Sequence, residues 1–105
     1  MPDRPSAPGT LPLGQALDHN TTLATLLQRV QAGRARYDAL HGLLPAELLA
    51  AARPGPLLDD GWTLLADGPT AAAKLRQWLP RIVQRLQEAG HPDVPVRVKV
   101  LPRVG

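Results

Sequence analysis

The sequence predicts a small α+β domain, a three-stranded sheet with helices packed on one face, and three stretches carry that prediction. Residues 69–88, PTAAAKLRQWLPRIVQRLQE, repeat apolar side chains at helical spacing. Residues 94–100, VPVRVKV, alternate strictly, as a half-buried strand does. Between them in kind lies Asp59-Asp60-Gly61, whose Asp-Gly pair supplies the positive φ values that a tight hairpin needs.

At 105 residues the chain holds one domain rather than two. Its apolar share of 44% is almost all Leu, Val and Ala, with no Phe, one Tyr and two Trp, so the core is expected to be small and aliphatic. The absence of Cys excludes disulfides and thiolate chemistry. No apolar run reaches the length of a membrane span, and the start MPDRPSAPGT lacks the hydrophobic region of a signal peptide. A cytoplasmic protein is the expectation.

In chain order, residues 1–20 are expected to form a flexible tail, because four prolines fall in the first thirteen positions, and residues 21–105 to form the domain. Asn20, Thr21 or Thr22 can cap a first helix running to about His41, with Leu23, Leu26, Leu27, Val30, Tyr37 and Leu40 on one apolar face and Gly33 as a weak point. Arg29 and Arg36 fall on the opposite, polar side, and Arg34 at the edge of the apolar one. Gly42 ends that helix, and Pro45 opens a short second one. Pro54 and Pro56 confine residues 53–58 to an edge strand, which the Asp-Gly turn returns as Trp62 to Ala66. Asp67 or Gly68 caps the long helix, whose Ala72, Leu75, Leu79, Ile82 and Leu86 form its core side; Pro80 within it is expected to kink or split it. In the last strand, Val94, Val96, Val98 and Val100 share one face, and Arg97 and Lys99 the other. The order is α-α-β-β-α-β.

Chemistry has few footholds. Ser6 is the only Ser and lies in the tail, and His19, His41 and His91 have neither metal-ligand spacing nor a paired acid. Asp59 and Asp60 read as turn formers, and no glycine-rich phosphate loop is present. Neither an enzyme nor a cofactor is expected. Charge is more informative: residues 69–105 carry seven cations against two acids, net +5, whereas residues 45–68 carry one cation against four acids, net −3. Lys74, Trp78, Arg81 and Arg85 fall together on the long helix, where the cations could grip a phosphate backbone while the indole stacks on a base or packs on a partner. Arg76, Arg97 and Lys99 complete the candidate DNA contacts. Trp62 and Trp78 are the candidate partner contacts.

Taken together, LLPAEL, the Asp60-Gly61 hairpin, Ala66-Asp67, the helix AAAKLRQ through LP to Leu86 and the basic alternating strand resemble the DciA-like proteins, from about Leu11 to Val100. That family is tied to bacterial replication as loaders or operators of the replicative helicase. The resemblance implies a KH-like fold similar to the N-terminal domain of the initiator DnaA. It also implies a non-enzymatic role in contact with the replicative helicase and, weakly, with DNA. Three features depart from the pattern. Relatives often carry an aromatic side chain early in the long helix where this chain has Ala71, Ala72 and Ala73. Many extend beyond the last strand or carry a longer basic arm, whereas this sequence ends at Gly105. The Gly-x-x-Gly loop with which RNA-binding KH domains clamp their ligand does not occur. The rival reading is a protein-interaction module, homodimeric through the last strand, with no nucleic-acid role. No membrane and no small-molecule substrate is expected in either case.

Overall fold

The computed structural model describes residues 11–102, with side chains from residue 22 onward. Six elements follow one another: α1 (Leu11–Asp38), α2 (Ala46–Ala50), β1 (Ala52–Leu58), β2 (Gly61–Ala66), α3 (Pro69–Glu88) and β3 (Val96–Val100). They form an α+β fold whose three strands lie in the order β1-β2-β3. β1 and β2 pair antiparallel, through a hairpin turn at Asp59-Asp60 that ends on Gly61 at φ +135°. β2 and β3 pair parallel, which demands a crossover, and α3 is that crossover.

Registration fixes the two faces of the sheet. Trp62, Leu64 and Ala66 of β2 are fully buried and stand level with Val96, Val98 and Val100 of β3. Against this face pack Ala72, Leu75, Ile82 and Leu86 of α3, with Leu79 half-buried beside them, as the helical spacing predicts. Pro80 does not split α3, which runs unbroken from Pro69 to Glu88. The carbonyl that Pro80 leaves without a donor belongs to exposed Arg76, where water can serve it.

α1 departs from expectation in two ways. It starts at Leu11, not at a cap near Asn20, since Pro12 sits in its first turn, where no N–H is needed, and no proline follows. The expected tail therefore cannot reach residue 20 as irregular chain; its first ten residues lie outside the described residues.

The second departure is in which part of α1 docks. Leu23, Leu26, Leu27 and Val30, predicted to face the core, are 50%, 52%, 62% and 56% exposed, whereas Tyr37 and Leu40 of the same predicted face are half-buried and fully buried, and Arg36, predicted to be polar surface, is 3% exposed. Gly33 gives the reason. α1 crosses β1 so closely there that a Cβ on Gly33 would overlap the Gly55 carbonyl oxygen and stand 3.1 Å from the Trp62 indole nitrogen. That same carbonyl, freed from the ladder by a bulge between Pro54 and Leu57, accepts a 2.8 Å hydrogen bond from Trp62 Nε1. Backbone can meet backbone only where side chains are missing, so the glycine side of α1 docks.

Docking on that side also carries Arg36 inward. Its guanidinium donates to the carbonyls of Ala32, at 3.5 Å, and Pro92, at 3.4 Å, and its Nε has no protein partner. Burial lowers its pKa from the ordinary arginine value, and burial, then the Arg36 charge, lowers that of His91. Tyr37 ties α1 to α2 by donating to the Leu49 carbonyl at 2.6 Å.

Candidate nucleic-acid interface

Helical geometry puts Lys74, Trp78, Arg81 and Arg85 within an arc of about 60° on α3. The apolar side of the helix is committed to the sheet, so this row is turned outward. Lys74 is exposed and makes no ion pair among the described residues. Trp78 is half-buried and packed against the core, and the Arg81 guanidinium lies over its ring, 5.3 Å from the centre. Arg85 is differently occupied: its Nε donates at 2.9 Å to the Ala39 carbonyl and closes the C-terminal end of α1.

Beside this row runs a groove of about 570 Å³ between α2 and α3, lined among others by Pro45, Leu48, Ala71, Lys74 and Trp78. Ala71, the one of three consecutive alanines that lines the groove, contributes only a methyl group to its wall. Glu47 lies on its opposite wall.

The other predicted contacts are not part of this row. Arg76 points to the far flank of α3 and donates at 3.1 Å to the Val98 carbonyl. It thereby occupies a polar group of β3, an edge strand and the expected surface for homodimerisation. Arg97 and Lys99 stand on the sheet face that the helices leave uncovered, the side opposite α3. Arg97 donates to the Asp60 carbonyl and lies 3.5 Å from its carboxylate, so it is partly neutralised. Lys99, on the same edge strand, makes no ion pair among the described residues. The seven DNA candidates thus divide into the α3 row, the lone Arg76, and a sheet-face pair.

Trp62 is a correction. Proposed as a partner contact, it is fully buried and hydrogen-bonded within the core, so no partner can reach it. Trp78 keeps the accessibility that such a contact needs.

Arg53 was missed and belongs with the sheet-face cations. It registers with Leu65, which registers with Lys99, making a cross-strand row Arg53-Leu65-Lys99 on the uncovered face. A plain two-residue hairpin would set Arg53 opposite Ala66, whose side chain points inward. The bulge adds one residue to β1 and turns Arg53 outward. Gly55 between two prolines was the available signal. An Asp67 carboxylate 3.9 Å away partly offsets its charge.

Among the described residues no three His, Asp or Glu side chains gather in a way that could hold a metal ion, and no helix is long and apolar enough to cross a membrane. No protein-family model matches the chain, and no curated protein matches it significantly.

Proposed function

We infer that this is a non-enzymatic accessory factor of DNA replication, a KH-like domain of the DciA-like kind that touches the replicative helicase and binds DNA weakly and without sequence preference. The observation that carries the DNA part is the outward row Lys74, Trp78 and Arg81 on α3: two cations flank a half-buried indole that also lines a surface groove. Each element has a physical task. The cations displace counterions from a phosphate backbone, and the indole offers a stacking surface that any base can use. Lys99, Arg97 and Arg53 form a second, partly neutralised basic surface on the other side of the domain. With so few unpaired cations, affinity at physiological salt should be micromolar or weaker and should fall steeply as salt rises. The helicase part rests on the resemblance of LLPAEL, the hairpin, the long helix and the basic strand.

Titration of a labelled oligonucleotide in low salt tests the DNA reading. The double charge reversal Lys74→Glu, Arg81→Glu should weaken binding about tenfold or more and flatten the log–log salt slope by about 2. Because Trp62 is buried, quenching of Trp78 reports on the row directly. Binding unchanged by the double variant would remove α3 as the contact. For the helicase, interferometry against the organism's own replicative helicase should give a signal at tens of micromolar, and silence there would leave a DNA-binding domain alone.

A protein-interaction module is a second reading, favoured by one observation: the exposed leucines and valine of α1.

A further inference from the structure

The groove between α2 and α3 stays unfilled because facing positions on its walls are small. Ala51, which follows α2, and Ala71, in the first turn of α3, each bring one methyl group to the space between the helices. Pro45, Leu48 and Trp78 complete an apolar lining. Its volume of about 570 Å³ falls within the roughly 300 to 1,000 Å³ of sites that hold one small ligand or group.

Charge gives the groove a direction. Lys74 lines it from α3 and Glu47 from α2, and no ion pair joins them among the described residues. Two turns along α3 from Lys74, roughly 10 Å, Arg81 stands over the Trp78 ring. An occupant that fits therefore carries negative charge toward Lys74 and Arg81, none toward Glu47, and a flat, largely apolar body for Trp78 and Leu48. A nucleotide with an unpaired base is built that way, since its base is neutral and flat and its phosphates lie to one side. The net charge of +5 over residues 69–105 favours such a polyanion.

A duplex does not offer that group. Its bases are paired and stacked, so only its phosphates reach the α3 row, and a base enters the groove only after being unpaired and unstacked. In a single strand most of that cost is absent, and every base has an apolar face to present.

We propose that one unpaired base of single-stranded DNA seats in the α2–α3 groove against Trp78 and Leu48, while Lys74 and Arg81 hold the phosphates beside it. The domain thereby distinguishes a single strand from duplex. This rests on the DNA reading, whose cations it shares, and adds to them a seat for the base.

Fluorescence anisotropy of the full chain in low salt, with three ligands of equal length, is the test: a single strand, the corresponding duplex, and a single strand of abasic sites, which keeps the phosphates and lacks the bases. The intact single strand should bind about tenfold tighter than the abasic one, within what one base on an aromatic side chain contributes. It should also bind more tightly than the duplex, despite the denser charge of the duplex. Because Trp62 is buried, quenching of tryptophan emission by the intact strand and not by the abasic one reports a base at Trp78. Ala71→Leu fills the groove from a helix position that leucine suits; folded by circular dichroism, it should lower single-strand affinity about tenfold, to the abasic level.

Intact and abasic strands that bind alike would mean phosphate contacts alone, overturning the proposal and leaving the DNA reading in place. A duplex that binds as tightly as the single strand overturns it in the same way. So does a folded Ala71→Leu variant that binds the single strand as the wild type does, since the groove is then open to some other occupant, such as a protein side chain. If none of the three ligands binds, the DNA reading itself fails and the proposal falls with it.

Discussion

Two sides of α1 invite comparison. One carries Leu23, Leu26, Leu27 and Val30 and looks, by composition, like the side a globular domain buries; it is exposed. The other carries Gly33 and Arg36, looks like a weak point and a polar surface, and is buried, as is Leu40, which the spacing had grouped with the leucines. Apolar burial by itself would favour the leucines. What reverses the choice is distance: at Gly33 the helix backbone approaches the bulged strand more closely than any side chain allows. Sealing Trp62 beneath that crossing returns apolar area to the core. Periodicity identifies stripes, and close backbone contact decides which one the domain keeps.

The sharpest way to break this comparison is on the buried side. Leu40→Ala removes a fully buried side chain and should cost about 2 to 5 kcal/mol in urea unfolding. A loss well under 1 kcal/mol would mean that the turn after α1 is not docked. Next comes Gly33→Ala, where two effects oppose. Helix propensity alone favours alanine by about 1 kcal/mol. Against it stands a Cβ placed on the Gly55 carbonyl and beside the Trp62 indole, neither of which can swing away, so a net loss of about 1 to 3 kcal/mol is expected. A gain in stability would sink the glycine-to-glycine docking and restore the leucine side as the buried one.

Much of the fold was legible because its signals are local. Asp59-Asp60-Gly61 dictates a turn whatever surrounds it, the alternation of residues 96–100 sets a strand with one valine face, and the core side of α3 follows from its spacing. That α1 docks through Gly33 and Arg36 was not legible. It depends on a bulge at residues 55–56 in another element, and no reading of α1 alone contains it. The same bulge hid Arg53 by reversing the face on which it emerges. For the candidate interface, the α3 row could be read as a wheel, whereas the engagement of Arg76, Arg85 and Arg97 with carbonyls of β3, α1's end and the hairpin could not. Each of those partners is distant in sequence. Trp62 was ambiguous for a simpler reason: a strand residue faces inward or outward according to register, and register is a property of the sheet.

The smallest effect is expected on the exposed side, and it sharpens the comparison most because the chemistry matches that of Leu40. Leu27→Ala deletes the same atoms from a side chain that is 62% exposed, in a helix that tolerates alanine well. Stability in urea unfolding should shift by less than about 0.5 kcal/mol in either direction. A loss of about 2 kcal/mol or more would mean that Leu27 is covered by its own domain. The pair of leucine truncations therefore separates the part of α1 and its following turn that the sheet covers from the part that it leaves to solvent.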